Sequence, residues 1–371
     1  MERIVRSTPT RGLSEYQITV PAPREVWARL LVSDVGAVLT QGPAWFDMLL
    51  STTGGEDAST LYELASGEQL VVPVLQVRKT GPTSGLSLPY GWGYGGAVGA
   101  QGQLAQSLIW QDLASRFAWR LRLQPPPVQA QDWAAAAPAA ASGEQCRAQL
   151  LDLSHGFSSV WSGSFRAQTR NSVRRAEGMN LDISCGSGEP QQSAFAQLYS
   201  LSVDRWAVQR GQPLFAARAL ARRRDRAGMV AAACAVTGTK IWTASLNGEP
   251  VAALVVLNQG GTAFAWLSAM DSDLARRTRA GHYLHHLAIK EACAKGALTY
   301  HFGESDPGGP VEVFKSRFGA RIVDYHVLVQ QRLPTQAVAK RFREGAEALL
   351  KLRRSSPSPR AVRRDEPPPV V

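Results

Sequence analysis

Residues 240–270 read KIWTASLNGEPVAALVVLNQGGTAFAWLSAM, and the fold depends most directly on this stretch. It contains three runs of mainly β-branched, aromatic and small apolar residues, at 240–246, 250–257 and 262–270. Asn247-Gly248 separates the first two runs and Gly260-Gly261 the last two, and both pairs are typical of tight hairpin turns. The stretch therefore predicts three consecutive antiparallel strands.

The segments around these strands alternate between helical and strand patterns. After them we expect a helix at 281–295, a strand at 298–302, a short helix at 311–318 and a strand at 321–328. Before them we expect a strand at 181–185 and helices at 193–210 and 215–227. Antiparallel strands followed by strand–helix–strand units are typical of an α+β fold with a mixed sheet. The regular alternation of a Rossmann fold does not fit this order.

The N-terminal half also mixes helices and strands. Residues 59–79 predict two strands joined at Ser66-Gly67, and residues 103–117 predict a helix. A chain of 371 residues is about twice the usual domain length, which predicts two domains, at 1–156 and 157–332. The Ala/Pro-rich segment 124–143 within the first domain is predicted to be a surface loop or linker.

The C-terminal segment carries much of the positive charge. Of the formal net charge of +11, +5 lies from residue 333 onward, where nine Lys/Arg face four Asp/Glu. We expect an amphipathic helix at 333–354, which docks on the body or makes peripheral contact with a membrane or partner. A disordered, basic, Pro-rich tail is expected at 355–371. The rest of the chain is only mildly basic, so charge alone does not establish nucleic-acid binding.

Bulk features favour a cytoplasmic protein. No stretch approaches the ~20 apolar residues that span a bilayer, and the first residues lack the apolar core of a secretory signal. The four cysteines form no C-x-x-C pair, which argues against a zinc cage or a disulfide framework.

The glycines of LPYGWGYGGA (residues 88–97) match the dinucleotide pattern G-x-G-x-x-G letter for letter. A true fingerprint follows a hydrophobic strand, opens a helix and has an acidic residue about 20 positions on. Here the preceding TGPTSGLSLP is typical of turns, and the downstream Asp112 lies inside a helical pattern. We therefore predict that this loop binds no nicotinamide or flavin nucleotide.

Aromatic residues alternate with the glycines of this loop. One interpretation is a wall that binds the acceptor substrate, formed by Tyr90, Trp92, Tyr94, Gly95 and Gly96. The other is an aromatic turn that packs two domains together. The residues alone leave both open.

Four motifs, in order, resemble the FemAB-like branch of the GNAT acyltransferases, which includes the peptidoglycan interpeptide-bridge aminoacyltransferases. They are LPYGWGYGGA (88–97), SFRAQTRNSVRRAEGMNLDIS (164–184), AGHYLHHLAIKEACAKGALTYHFG (280–303) and FKSRFGAR (314–321). The order of predicted elements also resembles a GNAT domain. The resemblance covers most of residues 15–332 and implies two tandem GNAT-like domains with mixed central sheets.

The resemblance also implies a function. A FemAB-like enzyme would transfer an acyl or aminoacyl group to an amine by direct attack, with no covalent enzyme intermediate and no tightly bound cofactor. The implied co-substrate is acyl-CoA or aminoacyl-tRNA. The implied acceptor is an amine-bearing precursor of the cell wall (peptidoglycan) or of a polysaccharide, either free or lipid-linked.

Candidate catalytic residues follow from the last two motifs. Lys315 lies between Phe314 and Phe318, which would fix its direction, and a fixed cation can stabilise the oxyanion of acyl transfer. Glu304 or His301 would remove a proton from the attacking ammonium, although many relatives have an acidic residue where this chain has His301. Tyr283 is a candidate proton donor. The alternatives are a Lys315 that covers the sheet edge and a Tyr283 that belongs to the core.

Two groups of arginines are candidates for binding donor phosphates. Arg170, Arg174 and Arg175 share one face of a predicted helix. The second group is Arg276, Arg277, Arg279 and Gly281, at the place of the CoA-binding pattern Q/R-x-x-G-x-G/A. Arg279 replaces the middle glycine of that pattern, where a side chain crowds the approach of a pyrophosphate. For both groups the alternative is an ordinary solvated surface.

Other chemistries find less support. His282 and His286 have i, i+4 spacing but no third ligand nearby, so we predict no metal site. No G-x-S-x-G is present, which argues against a serine hydrolase. Two further functions stay open: an acetyl- or acyl-CoA-dependent N-acetyltransferase acting on a sugar or small amine, and a non-catalytic GNAT-fold protein that binds polyanions or a partner.

Overall fold

The computed structural model describes residues 16–78, 83–99, 103–117 and 119–331. Its strands are β1 (Tyr16–Thr19), β2 (Glu56–Asp57), β3 (Thr60–Leu64), β4 (Gln69–Val72), β5 (Leu75–Val77), β6 (Ser84–Leu86), β7 (Val98–Gly99), β8 (Arg120–Leu123), β9 (Ser142–Asp152), β10 (Asp182–Gly186), β11 (Thr239–Leu246), β12 (Glu249–Gln259), β13 (Thr262–Met270), β14 (Thr299–Glu304) and β15 (Arg321–Gln331). Its α-helices are α1 (Arg24–Ser33), α2 (Pro43–Thr53), α3 (Gln103–Arg116), α4 (Ala130–Ala136), α5 (Gly156–Ser159), α6 (Ala167–Glu177), α7 (Glu189–Gln209), α8 (Leu214–Arg224), α9 (Arg226–Ala233), α10 (Ser272–Thr278), α11 (Ala280–Ala294) and α12 (Pro310–Ser316). A π-helical turn, Val160–Ser164, precedes α6.

The predicted three-stranded meander is confirmed. β11, β12 and β13 pair antiparallel in sequence order. Asn247 and Gly248 both have positive φ, +54° and +84°, which is the backbone of the hairpin turn that their sequence predicts. The predicted helix and strands that follow correspond to α11, β14, α12 and β15.

The pairing between β13 and β14 is parallel and short. It joins Thr262 to Thr299, Ala263 to Tyr300 and Phe264 to His301, and then it stops although both strands continue. An irregularity in the β12–β13 register, between Val255 and Val256, lies at the same level of the sheet. The two strands therefore part in the middle of the sheet.

One sheet connects the two halves of the chain. Its strand order is β10-β11-β12-β13-β14-β9-β15-β8-β6-β5-β2. β9 lies on the N-terminal side of the predicted boundary at 156, yet it is hydrogen-bonded antiparallel between β14 and β15. A second sheet has the order β1-β3-β4-β7 and contains the hairpin predicted at Ser66-Gly67.

The described residues as far as Gln330 belong to one compact unit. The large sheet contains strands from both sides of residue 156. The division into two domains at that residue therefore stays a prediction. The predicted helix at 333–354 and the tail at 355–371 lie outside the described residues. Among the described helices, none has the length and apolar character needed to cross a membrane.

The Ala/Pro-rich segment differs from its prediction as a surface loop. Gln124 and the three prolines that follow it are buried, and α4 buries Ala130 and Trp133. Trp133 provides the apolar anchor that the composition of the segment conceals. The segment also supplies the Gln124 carbonyl, which accepts a hydrogen bond from the Gly95 N–H at 2.7 Å. The segment 124–143 therefore holds the glycine-rich loop in place through this hydrogen bond.

No helix opens after the glycine-rich loop; the chain instead enters β7, as expected for a loop that binds no dinucleotide. The loop is fixed to Thr40, whose hydroxyl donates to the Tyr94 carbonyl at 2.7 Å and accepts from the Tyr94 N–H at 3.1 Å. Gly93 has φ +103°, and a Cβ there would lie 2.4 Å from the Thr40 methyl carbon. The glycine is thus required by both conformation and space.

We predict that Gly93→Ala destabilises the protein more than Gly248→Ala. Both positions have positive φ, which costs a residue with a side chain about 1–2 kcal/mol. Only Gly93 adds a clash, worth a further ~1–3 kcal/mol, because nothing lies within 4 Å of a Cβ at Gly248. Urea denaturation of the two variants measures the difference. Equal losses of stability would show that the loop is not packed as described.

Candidate active site

The end of β14 and the helix α12 bring a lysine and a glutamate together. Lys315 is only 7% exposed, and its Nζ donates to the carbonyl oxygens of Gly303 at 3.1 Å and Glu304 at 2.7 Å. Burial lowers the pKa of Lys315 to about 8, while the negative charge of Glu304 acts in the opposite direction. The ammonium is thus desolvated and held at a fixed place, as stabilisation of an oxyanion requires.

The direction of Lys315 depends on how α12 is anchored. Gln149 of β9 is fully buried, and its Nε2 donates to the Glu312 carbonyl at 3.0 Å and to the Ser316 hydroxyl at 2.8 Å. Its Oε1 accepts from the Ser305 hydroxyl at 2.9 Å. One amide therefore joins β9, α12 and the turn after β14.

Aromatic packing supports α12 on its other side, as predicted. Phe318 is fully buried against Phe165, with ring centroids 5.1 Å apart, and Phe314 packs on Phe318 at 5.3 Å. His282 of α11 lies against both rings.

Glu304 is an exposed carboxylate with one oxygen already held. Its Oε1 accepts hydrogen bonds from Gln124 Nε2 at 3.1 Å and from the hydroxyl of Tyr325. In the described part of the chain, no hydrogen bond involves Oε2. The carboxylate is therefore oriented by both halves of the protein and keeps an oxygen that can accept a proton.

His301 is placed differently from Glu304. It is buried, its ring packs against Tyr94 and Phe264, and burial lowers its pKa to about 4. Its Nδ1 has no hydrogen-bond partner within the described residues. His301 is enclosed in the core whereas Glu304 is exposed, so only Glu304 is accessible to an acceptor amine.

The glycine-rich loop packs on side chains of β13 near the point where β13 and β14 part. The Gly91 carbonyl accepts from Trp266 Nε1 at 3.1 Å and from Arg226 Nη1 at 3.0 Å. Trp92 packs against Trp266, and Tyr94 stacks on Phe264 with centroids 5.1 Å apart. The loop thus contacts Arg226 of α9 at one end and the aromatic residues next to Glu304 at the other.

This burial changes the interpretation of the predicted acceptor wall. Trp92 and Tyr94 are buried in the core, and Gly95 and Gly96 pack against Ser87 and Pro125. Of the predicted wall, only the Tyr90 side chain is largely exposed, at 76%. The packing alternative therefore describes most of this loop.

A cavity of about 370 Å³ lies beside α7, α8 and α9. It is lined by Ala196, Tyr199, Ser200, Val203, Arg218, Ala221, Arg222, Asp225, Arg226 and Ala227. Arg218 is paired with Asp204, whereas burial lowers the pKa of Arg226. The cavity is basic, and Arg226 connects it to the Gly91 carbonyl.

Comparison with known proteins identifies the fold. Residues 163–316 match the family model described as an acetyltransferase (GNAT) domain. The structure is similar to that of FemX, with a TM-score of 0.58 and 12% identity over 82% of this chain and 96% of that chain. The chain has a FemAB-like GNAT fold.

Two further solved structures have the same overall arrangement. A conserved protein of unknown function from Bacteroides thetaiotaomicron gives a TM-score of 0.55 with 9% identity, covering 89% of this chain and 100% of that chain. The C-terminal domain of a putative lysylphosphatidylglycerol synthetase from Agrobacterium fabrum gives a TM-score of 0.50 with 13% identity, covering 85% of this chain and 93% of that chain. No curated protein sequence matches significantly. At these identities the likeness establishes the fold alone.

The predicted α+β GNAT fold with mixed sheets is thereby confirmed. The GNAT domain supports an acyltransferase, as predicted. The matched segment also contains both groups of candidate arginines, because it includes α6, α10 and α11.

The segment 276–281, predicted from the sequence to bind donor phosphates, has a glycine-like backbone at Arg279. Arg279 has φ +61°, the left-handed conformation that glycine favours, and it caps α11. A Cβ at Gly281 would meet no atom closer than Met270 Cε at 3.9 Å. Arg276 and Arg277 are exposed on α10, and Arg276 pairs with Asp273. The start of α11 therefore has arginines around it, and a Cβ at Gly281 would make only an ordinary van der Waals contact.

The arginines of α6 do not share one role. Arg170 donates to the carbonyl oxygens of Phe165, Trp161 and Ser162 and so closes the π-helical turn. Arg174 and Arg175 are exposed, with the Arg174 guanidinium 6.0 Å from the Trp161 ring centroid. Only these two are placed to meet a solvent-borne phosphate.

The histidines of α11 pack in aromatic surroundings. Burial lowers the pKa of His282 and of His286 to about 4. His285 is also buried, and its Nδ1 forms a 3.0 Å hydrogen bond with the Tyr300 hydroxyl. Tyr283 stacks on His286, and within the described residues no hydrogen bond joins it to Glu304 or Lys315. The same part of the chain contains no cluster of three metal-ligating residues.

Sequence reasoning missed Gln124, Gln149, Tyr325 and Arg226. Each lies in a different element, and none belongs to a motif or a charge cluster. Isolated glutamines and a tyrosine in a strand give no signal in one sequence, because their importance comes from partners more than 20 residues away.

We predict that Gln149→Leu destabilises the protein by about 1–3 kcal/mol and lowers its activity. The leucine would remove the amide hydrogen bonds to the Ser316 hydroxyl and the Glu312 carbonyl, so α12 and Lys315 would lose their fixed position. Thermal unfolding and turnover measure the two effects. Gln145→Leu, exposed on the same strand, is the matched control and should change neither. Equal behaviour of the two variants would contradict this account of α12.

Proposed function

We propose that this protein is an N-acyltransferase that moves an acyl group directly from an activated donor to an amine. The observation that carries the proposal is the arrangement at the end of β14, where the Lys315 ammonium is fixed on the backbone carbonyls of Gly303 and Glu304 and the carboxylate of Glu304 is oriented by Gln124. The match of residues 163–316 to an acetyltransferase (GNAT) domain supports the same reaction class.

The reaction begins with deprotonation of the acceptor. Oε2 of Glu304 takes a proton from the acceptor ammonium, and the resulting amine attacks the acyl carbonyl carbon. The carbonyl oxygen becomes an oxyanion, which the Lys315 ammonium stabilises. Collapse of the tetrahedral intermediate forms the amide and breaks the bond to the donor, whose leaving group takes up a proton.

We propose acyl-CoA as the donor, with aminoacyl-tRNA as the alternative. The acetyltransferase domain match favours a CoA thioester. The glycine-like backbone at Arg279 supports a pyrophosphate at the start of α11. Arg276, Arg277 and Arg279, with Arg174 and Arg175 of α6, would add positive charge.

The proposed acceptor is an amine that also carries negative charge, of the cell-envelope or polysaccharide-precursor class. The basic cavity of α7–α9 supports this choice, since Arg222 and Arg226 line it. The loop from Gly91 to Tyr94 links that cavity to the aromatic residues beside Glu304. Tyr90 is the exposed aromatic of that loop and would contact the acceptor.

We predict that Lys315→Met lowers kcat by about 10²–10³-fold, because the oxyanion loses its charged donor. In the wild type, kcat should fall above about pH 8, where Lys315 loses its proton. Lys315→Arg keeps the charge at higher pH and should remove that fall while retaining part of the activity. A wild-type pH profile unchanged in Lys315→Arg would refute the role of the ammonium.

We predict that Glu304→Gln lowers kcat by about 10²–10⁴-fold with the fold intact. The amide can still accept from Gln124 and Tyr325 but cannot take a proton. Asp306→Asn, an exposed carboxylate two residues away, is the control and should retain full activity. Turnover of both variants at saturating donor measures the effect, and an active Glu304→Gln would exclude this base.

The donor is tested by presenting a panel of amines with acetyl-CoA or with charged tRNA and measuring free thiol and product mass. We expect thiol release with acetyl-CoA. Transfer from charged tRNA but not from acetyl-CoA would show that the donor is aminoacyl-tRNA, and acyl transfer to an amine would stand. Transfer from neither would favour the non-catalytic polyanion-binding protein.

A further inference from the structure

Helix α8 is unusual because it has no buried residue. It connects to α7 through a turn at 210–213, and its less exposed residues are Ala217 and Ala221. At 100° per residue, the opposite side of the helix presents Phe215, Ala219 and Arg223. The outward side of α8 therefore carries two apolar residues, Phe215 and Ala219, where a surface helix usually has polar ones.

Large apolar side chains are exposed along this segment. Phe215 is 78% exposed, Val208 at the end of α7 is 70% exposed, and Leu220 is 48% exposed. A surface helix normally turns such residues toward the core. Phe215 lies on the outward side of α8, whereas Leu220 lies about 140° around the helix from it. Phe215 and Val208 are therefore the residues that mark a surface for contact with something less polar than water.

Cations flank these apolar residues. Arg222, Arg223 and Arg224 end the helix, and Arg210 precedes it. Among the described residues, none of the three arginines at the end of α8 forms an ion pair, whereas Arg218 on the same helix is paired with Asp204. A helix with exposed apolar residues and unpaired arginines has the chemistry of one that lies in a membrane interface.

We propose that the segment 208–224 docks on an anionic lipid bilayer. Phe215 and Val208 would enter the boundary between head groups and acyl chains, while Arg223 and Arg224 contact lipid phosphates. This surface differs from the basic C-terminal segment that the sequence predicts to touch membranes. The proposal does not depend on acyl transfer, although docking would bring the α7–α9 cavity to the lipid surface.

Charge supports a bilayer as the occupant. Each arginine near an anionic surface strengthens binding by roughly five-fold, so losing Arg223 and Arg224 should weaken it by about twenty-fold. A neutral partner or a second copy of this chain would gain nothing from the clustered positive charge, and a second copy would place the two arginine clusters against each other.

The experiment is sedimentation of the full chain with phosphatidylcholine vesicles, with and without phosphatidylglycerol. We expect binding only with phosphatidylglycerol, and a loss of at least about twenty-fold for Phe215→Ser/Arg223→Gln/Arg224→Gln. The matched control is Val32→Ser/Arg29→Gln/Lys290→Gln, which removes one exposed apolar residue and two exposed cations elsewhere. It should bind as the wild type does.

Three results would overturn the proposal. They are absence of phosphatidylglycerol-dependent binding, an equal loss in the two triple variants, and a wild-type dimer in light scattering that the α8 variant lacks. Circular dichroism and the Tm verify that both variants fold. Failure of acyl transfer in any assay would leave the vesicle result unaffected, so the two proposals fail separately.

Discussion

Pairing between β13 and β14 ends at Phe264 and His301, and the rest of the site is built around this point. Strands that part leave backbone groups and apolar side chains uncovered in the centre of a sheet. Here Lys315 bonds the free carbonyls at the end of β14, and the N-terminal half covers the side chains of both strands. The Gly91 carbonyl accepts from Trp266 and Arg226, and Tyr94 packs on Phe264 and His301. The C-terminal GNAT domain is therefore completed by a loop from outside the matched segment.

The same sharing between halves determines the candidate chemistry. One oxygen of Glu304 is held by Gln124 from the N-terminal half and by Tyr325 from β15. Lys315 is directed by α12, which Gln149 of β9 fixes in place. Desolvation of the lysine is offset by two backbone carbonyls, so the cation stays in one place at the cost of a lowered pKa. Neither residue would be positioned by a single domain cut at residue 156.

Much of this architecture could be predicted from local patterns. The turn pairs Asn247-Gly248 and Gly260-Gly261 determined the meander, since tight turns leave adjacent strands no other arrangement. The Phe314–Phe318 spacing predicted how α12 packs and placed Lys315 correctly between its anchors. The segment 124–143 is only partly the predicted surface loop: residues 138–140, 142 and 143 are exposed, but its composition conceals one deeply buried residue, Trp133, and a buried proline run.

The sequence by itself determined the β11–β13 meander and the α+β class, because these follow from periodicity and turn residues, and it predicted Lys315, with Glu304 or His301, as candidate site residues from short motifs. Only the tertiary structure decided which residues are accessible. It enclosed His301, Trp92 and Tyr94, it left Tyr90 and Phe215 exposed, and it gave Arg279 the backbone of a glycine. Exposure and hydrogen-bond partners arise from contacts between residues far apart in the chain, and a local pattern carries no information about them.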